Sequence, residues 1–495
     1  MEKTKKNGFW KKLLALWLNA LLIFMILKLF FYLCLALPLY LYFPFEFTFL
    51  VILTAYLIIC RVFKRKTAGK YLLDINTPKF LANTIKFGAI ISLIIFFVYP
   101  RVNIVHLHNE AKKMELTTTV THSFENRDQN LLTDISSLSN QDYAALSSWI
   151  EDNRTTAEDY VIQIAKNQKI TLIGEVHDVK TYLDFFNEII PNLYYKAGVR
   201  CIAMECIPYT MNRKIEKLIN SNDFDEKLCL EISRNQGWFF WGSEGYWNVL
   251  KTAWKLNKSL KPDEQKIRVV GIDSDWRGPN FALVFSGEKD GVKNVPFVEK
   301  FRRFSATQDK IKVNLREEIM ARNIEKEAIE KNDKCVVLVG SNHSFTNYGQ
   351  GVFDDKGNLI RYNNRMGILL SQKYKNDIFQ IVLHHDGCIS DEVLNKVIFE
   401  KGLAPVGFTV ENSPFAMLRD STQYLYANLP TVSFSDIAQG YIYILPFDKT
   451  ERCNWIPNYI SKEMFMRYKP FYEGRLGRKL KNNEELNALI RNWSE

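Results

Sequence analysis

Histidine is scarce in this chain, with seven among 495 residues, and cysteine is hardly commoner at eight. No Cys-x-x-Cys pair occurs, so no thiolate zinc cage is specified. Cys34 and Cys60 fall in long apolar runs, and Cys201, Cys206, Cys229, Cys335, Cys388 and Cys453 are scattered. Cys201 and Cys335 sit in strand-like segments, where a buried free thiol is the ordinary state. Glycine is missing from Arg101 to Asn153, a polar stretch that reads as a connector with some helix. Most of the chain also lacks any excess of charge. Of 65 Lys+Arg and 55 Asp+Glu, residues 1–100 hold 13 and 3, leaving 52 and 52 beyond. A neutral domain without a basic stripe lacks the phosphate-neutralising term on which nucleic-acid affinity rests, so nucleic acid is excluded as a partner.

What residues 1–100 have instead is hydrophobic length. Between Leu13 and Phe45 only Asn19 and Lys28 are strongly polar, Pro38 and Pro44 mark a turn, and further apolar runs cover Phe47 to Cys60 and Phe87 to Tyr99. These predict three transmembrane helices, over about 13–37, 43–61 and 82–100. Lys3, Lys5, Lys6, Lys11 and Lys12 precede the first, and Arg61, Lys64, Arg65, Lys66, Lys70 and Lys79 lie between the second and third. Both basic segments are then cytoplasmic, and an odd span count sends the rest of the chain outside, to a periplasmic or extracellular location with membrane lipid as a partner. The plan is a membrane anchor over 1–100, a polar connector over 101–160 and a folded domain over 161–495.

In that domain short β-branched runs alternate with amphipathic stretches. Ile170–Ile173, Arg200–Met204, Ile267–Ile272, Cys335–Val339 and Ile378–Leu383 read as strands, with Val406–Val410 and Tyr441–Leu445 as further candidates; Tyr182–Lys196, Met211–Ile219 and Arg316–Ile329 carry helical spacing. The expected fold is α/β: a central, mainly parallel sheet with helices on both faces.

Functional groups of parallel sheets gather past the carboxyl ends of the strands. Here five successive strands run into ionisable side chains: Glu175, His177 and Asp178; Glu205; Asp273 and Asp275; His343; and His384, His385 and Asp386. Four of the seven histidines follow strands directly. Two Gly-x-x-His motifs, Gly174 to His177 and Gly340 to His343, use glycine to let the chain turn out of the sheet and histidine to supply a nitrogen for a metal or a proton. Glu175 and His177, two apart on extended backbone, share a side. Ser341 and Asn342 offer His343 orienting hydrogen bonds. Asp273 fits a cation or an N-cap equally well. His384 and His385 point opposite ways, so at most one joins a site and a structural role suits both. His106, His108 and His122, in the polar connector, read as solvated. The aromatic run Trp238 to Trp241, with Tyr246 and Trp247, reads as core. Arg316, Arg322 and Asn323 are placed to neutralise an anionic substrate or a developing charge.

Taken in order, Gly174 to Asp178, Glu205, Gly271 to Asp273, Arg316 to Asn323 and Gly340 to His343 resemble the erythromycin esterase, ChaN and TraB/Tiki superfamily over about residues 165–410. Leu172 to Asp178 looks most like the ChaN haem-binding branch; Tyr246-Trp247, Lys255 to Asn257 and Arg316 to Met320 look more like the esterase branch. The resemblance implies one cleft surrounded by Glu175, His177, Glu205 and His343. The expectation is a hydrolase of an ester or peptide bond, on a small-molecule or peptide substrate. His343 or His177 deprotonates water, the glutamates orient it, and Arg316 or Arg322 steadies the oxyanion. A divalent metal (Zn, Mn or Co) on His177, His343, Glu175, Glu205 and, more weakly, Asp273 is one form of this site. The alternative is a haem- or iron-binding protein at the membrane surface.

Overall fold

The computed structural model describes residues 122–234, 239–273, 316–353, 357–385 and 387–494. The three predicted membrane spans, His106, His108, Trp238, Asp275 and Asp386 lie outside the described residues. Among the described residues no helix is long and apolar enough to cross a membrane.

An eight-stranded sheet organises the domain. In chain order its strands are β1 (Thr155–Thr156), β2 (Ile170–Glu175), β3 (Val199–Pro208), β4 (Arg268–Asp273), β5 (Lys334–Gly340), β6 (Ile378–Leu383), β7 (Val406–Thr409) and β8 (Gly440–Tyr443). Across the sheet the order is β1-β7-β8-β6-β2-β5-β3-β4. From β8 to β4 every neighbouring pair is parallel, whereas β7 runs antiparallel to both its neighbours. The α/β expectation holds, and seven of these strands fall where the sequence placed them.

The central strands read as apolar runs because they are covered on both faces. On one face Ile173, Ile202, Met204 and Leu338 pack under α1 (Ala157–Asn167), α2 (Lys180–Ala197) and α3 (Glu244–Ser259). Helix α2 presents Leu183, Phe186, Ile190 and Leu193 at helical spacing, and Gly198 in a left-handed conformation (φ 73°) closes it. On the other face Leu172, Ala203, Val337 and Val339 meet Met320, Ala321 and Ile324 of α4, which covers 316–324 and continues as the π-helical turn Glu325–Ile329. Each fully buried Leu, Ile or Phe in these layers stabilises the fold by about 1.5–3 kcal/mol.

Two expectations are corrected. Residues 122–160 are not a connector. Phe124, Leu146 and Ile150 are core residues, Asn140–Asn153 is a helix with a Ser139/Asp142 capping box, and Thr133–Asp134 pairs in parallel with Leu418–Arg419. Nor is His122 solvated: its ring is buried, stacked on Phe124 at 5.1 Å, with Nδ1 3.2 Å from the Asn347 carbonyl. The polar surface of this segment hid a sparse apolar stripe.

Candidate functional site

The strand order places β2 between β5 and β6, although β3 follows β2 in sequence; loops leaving β2 and β5 therefore converge over one edge of the sheet. Strand alternation then divides the acids. Glu175 follows Ile173 by two and leans to the α3 side, while Glu205 follows Ala203 by two and leans to the α4 side.

On the α3 side, Glu175 Oε1 lies 2.5 Å from His177 Nδ1 and accepts from the Tyr246 hydroxyl at 3.0 Å. The carboxylate is buried, but the His177 side chain keeps 32% of its surface, with Trp241 against its ring edge-on at 4.6 Å. Nε2 of His177 makes no hydrogen bond among the described residues. Burial alone would lower the imidazole pKa; the charge and hydrogen bond of Glu175, helped by Glu205, override it and raise it to about 9. Tyr246 reaches Glu175 from the buried stripe of α3 that also holds Val249, Leu250 and Ala253.

On the α4 side, Asp273, Glu205 and His343 converge on one guanidinium. Arg316 donates from Nε and Nη2 to the two Asp273 oxygens at 3.0 and 2.9 Å, from Nη2 to Glu205 Oε1 at 2.5 Å, and from Nη1 to His343 Nε2 at 3.1 Å. Glu205 Oε2 also accepts the Gly340 N–H at 2.8 Å. Burial would raise the Glu205 pKa, yet His343, Arg316 and His177 hold it well below the usual carboxylate range; burial likewise fails to lower Arg316, whose pKa Asp273 and Glu205 raise. His343 Nδ1 faces Glu317, 2.8 and 2.9 Å from its two oxygens. Glu317 is fixed in turn by Arg365 Nη1 and the Met366 N–H, each at 3.0 Å, and despite burial His343 and Arg365 depress its pKa to about 2.

The two Gly-x-x-His motifs interlock. Neither glycine has positive φ, so neither serves to turn the chain out of the sheet. Each instead clears room for the other motif: a Cβ on Gly174 would lie 2.5 Å from Ser344 Oγ, and one on Gly340 would lie 2.7 Å from His177 Cε1 and 3.4 Å from Glu205 Oε2. Outside the sheet, residues 451–456 strap the loop after β2 to the start of α3. Lys180 N–H donates to the Glu451 carbonyl, Arg452 Nη1 to the His177 carbonyl, Cys453 N–H to the Asp178 carbonyl and Ile456 N–H to the Gly242 carbonyl, at 2.7–3.1 Å. Asp178 takes φ 67° in this strapped turn, a conformation Asp tolerates.

Glu175, His177, Glu205 and His343 thus share one sheet edge, with Arg316 reaching both of the last two and pairing with Asp273. Several assignments change. Arg322 is not in the site: its side chain is 64% exposed, beside Glu318 at 3.9 Å. Asn323 donates to the Ile272 carbonyl and ties α4 to β4. Ser341 and Asn342 do not orient His343: Ser341 donates to the Glu175 carbonyl, and Asn342 accepts from Tyr424. His384 is sealed between Asp391 and Tyr441, and His385 accepts from the Gly387 N–H and faces Cys388, so both are structural. Burial pushes the Cys206 thiol, next to Glu205, far above its ordinary range, which keeps it from serving as a nucleophile. Arg316, predicted to steady an oxyanion, directs four of its five N–H groups to Asp273, Glu205 and His343.

The metal expectation needs a cavity among its donors. Glu205, Asp273 and His343 instead enclose the Arg316 guanidinium, Glu175 is bound to His177 and Tyr246, and no group of three or more such donors among the described residues is arranged to hold an ion. As built, these residues fit a cationic side chain and not a metal.

Glu317 was overlooked in the sequence, although its signal was there: it occupies an apolar-stripe position of α4 with Met320, Ala321 and Ile324, where a carboxylate has to have a partner.

Two substitutions test this geometry. Arg316→Ala leaves two buried carboxylates facing each other and is expected to lower unfolding free energy in urea by about 3–5 kcal/mol. Gly340→Ala pushes only a partly exposed ring, so its stability cost is expected at about 1 kcal/mol, while the His177 titration followed by NMR moves down from about 9 toward 6.5.

No family model matches the chain, and no curated protein does. Similar solved structures include a succinoglycan biosynthesis protein (12% identity, 64% of this chain and 100% of that one, TM-score 0.43) and the erythromycin esterase EreC in its open conformation (12%, 60% and 95%, 0.40). Another is ChaN of Campylobacter jejuni with cofacially bound heme (14%, 47% and 87%, 0.30). Likenesses this distant carry no activity across, but the neighbours include both branches that the sequence motifs resemble.

Proposed function

We propose that this chain is a hydrolase of an ester or peptide bond in which the Glu175–His177 pair activates water. The observation that carries it is the 2.5 Å contact between Glu175 Oε1 and His177 Nδ1, which leaves Nε2, on a partly exposed ring, without a hydrogen bond among the described residues. A buried carboxylate on Nδ1 fixes the tautomer and supports the imidazolium that forms when Nε2 takes a proton. Water then attacks the carbonyl carbon as Nε2 removes its proton, and the same proton goes to the leaving oxygen or nitrogen as the C–O or C–N bond breaks. Glu205, Asp273 and Arg316 form a charged cluster at the same sheet edge, and Arg316 and Glu205 meet His343 there. The sequence reading of residues 1–100 adds that the enzyme is anchored by three spans with its site on the outer side of the membrane.

Because deprotonated His177 is the base, kcat/KM of the full-length chain for p-nitrophenyl acetate is expected to rise with pH and level off near 9. His177→Gln is expected to lower the rate by roughly 10²-fold or more, and EDTA to leave it unchanged. The stability effect has the opposite sense. A pKa raised from 6.5 to about 9 gives stabilisation that is complete below 6.5 and disappears as pH climbs through 9, a decline His177→Gln would lack. A Soret band on adding haem, lost in His177→Gln and unaccompanied by ester turnover, would replace this reading by haem binding. Alkaline carbonate extraction is expected to leave the chain in the membrane fraction; its release would remove the anchor.

A further inference from the structure

The α4 side of the site holds a second carboxylate–imidazole pair, and its partners are more tightly determined than those of the first. Glu317 is 1% exposed, and both its oxygens lie within 3 Å of His343 Nδ1. Arg365 Nη1 donates to Oε1 and the Met366 N–H to Oε2, so the carboxylate cannot rotate away without losing one of them. An ionised carboxylate only accepts, so Nδ1 has to carry the proton. The other ring nitrogen is then presented to two groups of opposite habit: Arg316 Nη1, a permanent donor at 3.1 Å, and Glu205 Oε1, a permanent acceptor at 3.3 Å. Such a nitrogen has a partner whether it is bare or protonated.

We propose that Glu317 is the positioning residue of His343, holding its proton on Nδ1 so that Nε2 stays available to accept and return a proton between Arg316 and Glu205. This rests on the hydrolase reading above and adds to it a second proton-carrying group at the same sheet edge, His343. A glutamine at 317 would reverse the arrangement. Its amide can donate to Nδ1, which moves the ring proton to Nε2 and sets N–H against N–H at Arg316.

The test uses the full-length chain labelled with ¹⁵N-histidine, with the His343 resonances identified by their loss in His343→Gln. Wild type is expected to show His343 with Nδ1 protonated; a neutral ring carrying its proton on Nε2 would overturn the proposal, whatever the protein hydrolyses. Glu317→Gln is expected to shift the proton to Nε2 and to lower kcat for p-nitrophenyl acetate by about 10²-fold or more with KM changed less than about twofold. Glu317→Asp, which keeps the charge, is expected to retain the Nδ1 tautomer and recover at least about tenfold of that loss. An unchanged tautomer in Glu317→Gln would also overturn it. If wild type hydrolyses no ester yet holds the Nδ1 tautomer, the hydrolase reading fails and the positioning stands; if Glu317→Gln does not fold, the wild-type spectrum and Glu317→Asp decide.

Discussion

Among the described residues, the acids at this edge of the sheet are joined by a partly buried cation, Arg316. Strands β3 and β4 lie side by side; β4 ends in Asp273 and β3 carries Glu205 shortly before its end at Pro208, two carboxylates almost fully removed from water. Left alone, adjacent buried acids of this kind take up protons or force their strands apart, since the desolvation of each is made worse by the charge of the other. The Arg316 guanidinium resolves this because it is planar and forked: it addresses both oxygens of Asp273 while Nη2 still reaches Glu205. A lysine, with one compact charge, could not satisfy that geometry. The remaining arm touches His343, so one side chain joins both acids and an imidazole.

That arrangement explains why the same residues look like metal ligands in the sequence and do not behave as ligands in the fold. Mixed carboxylate and imidazole donors at strand ends suit a divalent ion in type and number. What the pattern cannot disclose is that a cation from a distant helix has already entered among them. The outcome is an acidic cluster whose two carboxylates share one guanidinium, at the same sheet edge as a Glu175–His177 pair whose imidazole stays partly exposed.

The sheet was legible because its strands are short apolar runs ending in charged residues, a pattern that only two-sided burial produces. Residues 170–175 and 378–383 are good examples, and α2 announced itself by helical spacing. Glu175, His177, Glu205 and His343 were legible for the same reason: each ionisable group lies at the end of, or just past, an apolar run. Other features depend on contacts made at long range and leave little local trace. Tyr246 looks like one more core aromatic until its hydroxyl is found on Glu175. Arg316 and Arg322 look equivalent in the sequence, yet six residues along a helix turn one inward and the other to solvent. The glycines of the paired motifs suggested turns, whereas their role is mutual clearance, which neither motif shows alone.

The strap at 451–456 ties the geometry of the first histidine to the far end of the chain. Main-chain bonds from Lys180 and Cys453 and a guanidinium bond from Arg452 fix the loop from behind, without taking up the side of the imidazole that faces outward. The helices that follow, Lys462–Leu476 and Asn483–Ser494, anchor this segment through a small core of their own around Tyr459, Phe465 and Leu486. The pose of the His177 ring is therefore adjustable from a distance: a change in that remote core can shift the loop that carries it while every residue at the strand ends stays the same.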